Sequence, residues 1–366
     1  MNINRLRELK IGDLTARMPI IQGGMGVGIS LSGLAAAVAN EGGVGVIAAA
    51  GIGMLDYDFS TKFLEANITR LKSEIRKARE KTKGIIGVNI MVALTNYAEY
   101  VKASIEEGID VIFSGAGLPL SLPQHLEGKY DTKLVPIVSS ARAASVICRK
   151  WLEKYNYLPD AIVVEGPKAG GHLGFKEAQI FDDEYSLEKI VPEVVNEVKI
   201  YEDKAGRPIP VIAAGGVYSG EDILKFMKLG ASGVQMATRF VTTEECDASI
   251  AFKNTYINSK KEDVTIIKSP VGMPGRAIRN TFTEDISKGM NKPFKCPYHC
   301  IVTCDYKNSP YCIALALTNA QKGNLEHGFA FAGENAYRSD KIVSVHELME
   351  TIQQEYAEAS NNDKPL

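Results

Sequence analysis

The sequence predicts an α/β fold, namely a TIM (β/α)8 barrel with a C-terminal insertion or cap. Eight short apolar runs alternate with amphipathic segments, which is typical of parallel strands buried on both faces. Glycine and polar residues follow the ends of these runs, where a barrel carries its functional loops. The length of 366 residues fits one barrel with an addition. A doubly wound open sheet is the alternative.

Each predicted element follows from local pattern. The strands are expected at residues 18–22, 44–49, 85–90, 111–113, 134–138, 161–164, 210–213 and 233–236. The helices are expected at 34–40, 63–83, 97–107, 143–155, 187–198 and 221–229, because their apolar residues recur every three or four positions. Ser30 or Ser32 is expected to cap the first helix, since serine accepts from free amides at helix starts.

The pattern changes after residue 257, and this change sets the predicted domains. We expect a barrel over 1–257, a cysteine-containing insertion or cap over 258–330, and a helical segment over 331–366 that returns to the barrel. Residues 269–276 (SPVGMPGR) indicate a loop, on which Arg276 is expected to be solvated. Helical patches occur at 313–321 and 345–356.

Composition narrows the class of partner. A formal net charge of −2 with 23% charged residues does not favour a nucleic-acid or membrane partner. Residues 1–17 lack the apolar segment of a signal peptide, and the apolar stretch 33–55 is interrupted by Asn40 and Glu41. We therefore expect a cytoplasmic protein that acts on a small-molecule substrate.

The most informative motif is EGPKAGGHLG at residues 165–174, directly after the sixth predicted strand. Glycine allows a backbone to approach a ligand closely. A histidine on such a loop occupies the position where a barrel keeps its chemistry, so His172 is the candidate catalytic residue. A structural turn with a surface histidine is the alternative.

Two further loops indicate a phosphate site. Gly215 and Gly216 follow the seventh strand, and residues 235–238 follow the eighth, where barrel backbones commonly bind an anion. Tight turns alone would also require these glycines. The spacing Gly24-x-Gly26-x-Gly28 lacks the GxGxxG form, so a dinucleotide-binding Rossmann unit is rejected.

Four ordered motifs together resemble the nitronate monooxygenase (2-nitropropane dioxygenase) family, which is related to the flavin-dependent enoyl-ACP reductases. They are PIIQGGM at 19–25 followed by LAAAV and GGVG at 34–38 and 42–45, the histidine motif at 165–174, AAGGV at 213–217, and GASGVQMATRF at 230–240. The resemblance covers about residues 18–250. The four motifs do not show which reaction of this superfamily the protein catalyses.

The resemblance implies an FMN cofactor at the C-terminal face of the barrel, with His172 facing the substrate. The cofactor-binding residues that it implies are Gly23, Gly24, Met25, Asn89, Glu165, Lys168, Gly170, Gly171, Gly215, Gly216, Gln235, Met236, Ala237 and Thr238. His172 would take the α-proton of a nitroalkane or hold a nitronate oxygen.

Three functions stay open at this point. The first is FMN-dependent oxidation of alkyl nitronates with O2. The second is an NAD(P)H-dependent FMN reductase of an enoyl thioester or a quinone, which Glu165 favours because many nitronate monooxygenases carry glutamine there. The third is a flavin- or metal-binding protein without turnover. We expect a homodimer, although no sequence pattern specifies this assembly.

Four cysteines lie within seventeen residues of the cap. With His299 they supply enough ligands for zinc or an iron–sulfur cluster, but their C-x3-C-x3-C-x7-C spacing matches neither. Buried free thiols are the alternative. The metal-ligand candidates are Cys296, Cys300, Cys304 and Cys312.

Overall fold

Eight parallel strands form the barrel that the sequence predicts. The structure is a computed structural model that describes residues 6–56, 62–128, 131–296 and 298–363. The barrel strands are β3 (Ile20–Gln22), β4 (Gly45–Ala48), β5 (Ile86–Met91), β6 (Val111–Gly115), β7 (Lys133–Val138), β8 (Ile162–Glu165), β10 (Val211–Ala214) and β11 (Gly233–Met236). They neighbour one another in the order β3-β11-β10-β8-β7-β6-β5-β4, and a bridge between Ile21 and Val44 brings β4 back to β3.

Every barrel strand is apolar along its length because both of its faces are buried. In β8, Val163 points into the barrel interior, while Ile162 and Val164 join the core between strands and helices. In β10 the interior residues are Ile212 and Ala214. A strand with one solvated face would instead alternate apolar and polar residues, so the continuous runs distinguish a parallel barrel.

The predicted helices are present with small shifts at their ends. The largest difference is the helix expected at 187–198, which extends to Ala205. The barrel helices are α1 (Ser32–Asn40), α2 (Phe63–Lys81), α3 (Tyr97–Glu106), α4 (Ala141–Tyr155), α5 (Glu177–Ile180), α6 (Leu187–Ala205), α7 (Gly220–Lys228), α8 (Thr238–Val241) and α9 (Ile250–Ile257).

The prediction that Ser30 or Ser32 caps α1 was wrong. No side chain of the adjacent residues caps this helix. Two distant carboxylates accept from its first amides instead: Asp247 from Leu31 N–H at 2.8 Å and Glu74 from Ser32 N–H at 3.1 Å. The cap is therefore a tertiary contact, which local sequence does not reveal.

A β-hairpin that the sequence did not predict joins the interior of the barrel. Its strands β1 (Leu9–Ile11) and β2 (Leu14–Ala16) pair in antiparallel fashion. Leu9 and Ile11 pack in the same apolar cluster as the interior strand residues, and Lys133 of β7 forms an ion pair with Asp13 at 2.8 Å. Residues 1–5 of the charged N-terminal stretch lie outside the described part of the chain.

The cap carries a second hairpin, and the loop predicted at 269–276 was only partly right. Strand β12 (Val264–Lys268) pairs with β13 (Pro274–Ile278), so only the turn between them is irregular. Strand β13 also pairs with β9 (Gly171–His172), which places the catalytic candidate in a short strand rather than in a loop. The cap helices are α10 (Thr281–Ser287) and α11 (Ile313–Gln321).

The C-terminal helix α12 (Val345–Asn362) packs against α7 and α1. Among the described residues, no helix is both long and apolar enough to cross a membrane. The division of the chain at residues 257 and 330 stays a prediction. The segment after residue 330 bonds to the cap, because Ala332 N–H donates to Arg276 O at 3.0 Å.

We predict that Gly220→Ala weakens the packing of α12 on α7. A Cβ at Gly220 would lie 2.1 Å from the Tyr356 nitrogen, so the two helices must separate. Overpacking of this kind costs about 1–3 kcal/mol, which a urea-unfolding titration will measure as a lower midpoint. Glu221→Ala, an exposed change in the same helix, is the matched control, and equal midpoints for the two variants would contradict the prediction.

Candidate active site

One cavity of about 510 Å³ opens at the C-terminal ends of the barrel strands. The candidate site residues of the sequence analysis that line it are Gly23, Gly24, Met25, Asn89, Glu165, Lys168, Gly170, Gly171, His172, Gly215, Gly216, Gln235, Met236, Ala237 and Thr238. The fold therefore brings together residues that are more than 200 positions apart in sequence.

The loop after β3 lies against the end of β5. Gly23 N–H donates to Met236 O at 2.8 Å, and Met25 N–H donates to the Ser30 hydroxyl at 2.9 Å. A Cβ at Gly24 would lie 2.4 Å from the Cβ of Asn89, so only glycine allows this approach. The backbone of residues 23–25 is thereby held against the end of β5, where it lines the cavity.

The loop after β8 is held by a buried arginine of the cap. The Arg276 guanidinium donates to Pro167 O at 2.5 Å and to Ala169 O at 2.9 Å. Arg276 is 4% exposed, so the sequence-based expectation of a solvated side chain was wrong. Buried guanidinium groups require acceptors, and here the two carbonyls of the glycine loop provide them.

The loops after β10 and β11 line the same side of the cavity. Gly215 and Gly216 have φ of +86° and +103°, which side-chain-bearing residues rarely adopt. Asn335 donates through its amide to Gly216 O at 2.8 Å, and Gly333 packs against the Thr238 hydroxyl. The segment 333–335 thus supports both loops from the cap side.

Burial disfavours charge at the two titratable groups of the central loop. It raises the pKa of Glu165 to about 7 and lowers the pKa of His172 to about 4. His172 is therefore neutral at pH 7 and able to accept a proton, whereas the Glu165 carboxyl is partly protonated. Lys168, at the exposed rim, forms an ion pair with Glu334 at 3.7 Å.

Two residues that touch His172 were missed by sequence reasoning. Ser269 Oγ lies 2.7 Å from His172 Nε2, and the Phe331 ring meets the imidazole edge-on at a centroid distance of 5.0 Å. Ser269 belongs to the cap and Phe331 to the segment that follows it, at 97 and 159 positions from His172 along the chain. The alternation of phenylalanine and alanine at 329–332 was the one local signal, since it is typical of a strand.

The cap cysteines do not form a metal-ligand set in the structure. Over residues 6–56, 62–128, 131–296 and 298–363, no three His, Cys, Asp or Glu side chains are grouped so that they could hold a metal ion. All four candidates, Cys296, Cys300, Cys304 and Cys312, are free thiols within these ranges. Cys300 lines the cavity, and burial raises the pKa of its thiol to about 12, which disfavours the reactive thiolate form.

The family model and the curated relatives that match this chain point to the same family. The model of the family described as nitronate monooxygenase matches residues 7–355. A probable nitronate monooxygenase of Staphylococcus aureus (strain Newman) is 30% identical over 318 residues, covering 78% of this chain and 81% of that protein.

Two solved structures share the architecture. FabK from Thermotoga maritima is 28% identical, with a TM-score of 0.73 and 94% of each chain covered. Nitroalkane oxidase from Streptomyces ansochromogenes, at 20% identity, has a TM-score of 0.72, with 97% of this chain and 99% of that chain covered. The second likeness concerns the fold alone.

We predict that Arg276→Met destabilises the protein by about 2–6 kcal/mol. The change leaves two carbonyls of the glycine loop without a donor, and each unsatisfied buried group costs about 1–3 kcal/mol. Urea unfolding measures the effect. Arg279→Met is the matched control, because Arg279 is exposed and its ion pair with Asp263 contributes about 0–1 kcal/mol. A loss for Arg276→Met no larger than for the control would contradict this assignment.

Proposed function

The chain belongs to the nitronate monooxygenase family of flavin-dependent oxidoreductases, and we propose that it uses FMN to oxidise alkyl nitronates with O2. One observation carries the proposal. The loops after four barrel strands, three of which carry glycines, converge with a neutral, cavity-facing imidazole on a single cavity. A flavin requires flat backbone walls and an anion site, and the substrate requires a group that handles protons.

The residues around the cavity fit an FMN group. Gly23 and Gly24 present backbone without a side chain at the cavity, beside Asn89. A Cβ at Gly171 would meet no atom within 4 Å, so this glycine leaves space in the cavity. Gly215, Gly216 and residues 235–238 would hold the phosphate through backbone amides, because such loops with a following helix start bind anions.

The protein's own groups then act on the substrate. FMN, when bound, supplies the redox chemistry. Neutral His172 accepts the α-proton from a nitroalkane or orients the nitronate oxygens. Apolar side chains of Met273, Ile301 and Leu317 from the cap, and of Phe331, line the cavity beside the barrel loops. A small nitro compound with an alkyl chain matches this combination of one polar anchor and an apolar wall.

The second candidate is an NAD(P)H-dependent reduction of an enoyl thioester or quinone. The observation that favours it is Glu165, which lines the cavity at the end of β8 with a raised pKa. A partly protonated carboxyl is suited to donate a proton to a reduced product. In this second function the nicotinamide would bind in the same cavity, in the place that the nitronate takes in the first function.

We predict that ethyl nitronate, and not NADH or NADPH, reduces the bound flavin. The physical reason is that His172 and the apolar cap lining form a small-substrate pocket, whereas Lys168, the one cation among the described residues that line the cavity, is already paired with Glu334. The measurement is anaerobic stopped-flow absorbance of the yellow protein against each reagent separately. Bleaching by a nicotinamide within the dead time would replace the first function with the second.

A pH dependence follows from Glu165. Below pH about 7 its carboxyl is neutral, and above that pH its charge repels the anionic nitronate. We predict that the KM for ethyl nitronate rises about fivefold from pH 6 to pH 8, corresponding to ~1 kcal/mol for two like charges in a partly screened site. Glu165→Gln should give a flat profile, and neutral nitroethane is the substrate control. A wild-type KM that is flat across this range would contradict the assigned pKa.

A further inference from the structure

The turn between β12 and β13 controls the side chain of His172 as well as its backbone. Strand β13 pairs with β9 so that Gly275 lies opposite His172, and Leu173 N–H donates to Pro274 O at 2.9 Å. The same hairpin places Ser269 Oγ 2.7 Å from His172 Nε2. One element of the cap therefore fixes the histidine at two points.

Ser269 is itself rigidly placed. It is 3% exposed, its N–H donates to Met273 O at 3.1 Å, and its carbonyl accepts from Gly272 N–H at 3.0 Å. Its hydroxyl oxygen accepts from Val271 N–H at 3.4 Å. Gly272 has a φ of +84°, which the turn requires. Because the serine has little freedom, it can impose an orientation on the imidazole.

Within the described part of the chain, His172 Nε2 has this hydroxyl as its partner, whereas Nδ1 has no hydrogen-bond partner. A neutral imidazole carries one proton, and the nitrogen without the proton is the base. If Nε2–H donates to Ser269, Nδ1 presents a lone pair to the cavity. The opposite tautomer would present a proton there and could not accept one.

We propose that Ser269 is a positioning residue that holds His172 in the Nε2–H tautomer, so that Nδ1 is the base toward neutral nitroalkanes. This inference rests on the proposed function. In the step, the Cα–H bond of the nitroalkane breaks, the proton bonds to Nδ1, and the electron pair moves onto the nitro group to give the nitronate. The Ser269 oxygen then accepts a hydrogen bond from the imidazolium. This hydrogen bond stabilises a charged form that the buried surroundings of His172 otherwise disfavour.

The choice of substrate separates this role from a structural one. Nitroethane needs removal of its α-proton, whereas ethyl nitronate has already lost that proton. We predict that Ser269→Ala lowers kcat/KM for nitroethane by about 10-fold to 100-fold, part of the contribution of a general base. The loss on ethyl nitronate should be at least about fivefold smaller, because His172 only orients this substrate and removes no proton from it. His172→Gln, which lacks the base, sets the lower limit of kcat/KM for nitroethane.

Two variants serve as controls. Ser269→Thr keeps the hydroxyl and should restore nitroethane turnover to within about threefold of wild type. Ser287→Ala removes an exposed serine of the same cap, whose hydroxyl donates to Glu284 O at 2.7 Å, and should leave both substrates unaffected. Equal losses on nitroethane and ethyl nitronate in Ser269→Ala would overturn the proposal.

A readout independent of activity is the ¹⁵N NMR spectrum of the histidine-labelled, FMN-loaded protein at pH 7, with His172→Gln used to assign the signal. We expect a protonated Nε2 and an unprotonated Nδ1 in the wild-type protein, and a mixture of tautomers in Ser269→Ala. A wild-type protein protonated at Nδ1 would overturn the proposal, even if Ser269→Ala does not fold. If the wild-type protein oxidises neither substrate, the proposed function fails, while the spectrum still decides the tautomer.

Discussion

The structure of the site depends on the contact between the cap strand β13 and the glycine loop after β8. This loop has few side chains of its own, so its conformation must be imposed from outside. Arg276 does so through two carbonyls, and the backbone pairing of Gly275 with His172 does so through the strand. A glycine-rich loop leaves space for a ligand but loses more entropy on ordering than other sequences, and the cap offsets that cost.

The same contact extends into the cap through a chain of aromatic rings. Phe331 touches His172, Phe329 meets Phe331 edge-on at 5.2 Å, and Phe282 stacks on Phe329 at 5.9 Å. Tyr311 completes this cluster against Phe282 at 5.2 Å. Aromatic contacts of this kind are rigid and add about 0.5–1.5 kcal/mol each beyond their buried area. The cap is therefore a packed support for His172 as well as a cover over the barrel.

Electrostatics and packing act in the same direction at the cavity. Desolvation moves the pKa of Glu165 up and that of His172 down, so each group is biased toward its neutral form. A neutral imidazole is a proton acceptor, and a protonated carboxyl is a donor. Glu165 at the end of β8 and His172 in β9, seven residues apart, thereby acquire opposite roles from the same desolvation.

The sequence by itself determined the barrel and the glycine loops that line one side of the cavity. Continuous apolar runs identify strands buried on both faces, and glycines at the strand ends identify the loops, because both signals are local. Tertiary structure alone decided the roles of Arg276 and Ser269 and the carboxylate cap of α1. Each of these joins positions about 40 to more than 200 residues apart, through side chains whose local sequence indicates solvent or a turn. Their partners exist only once the chain has folded.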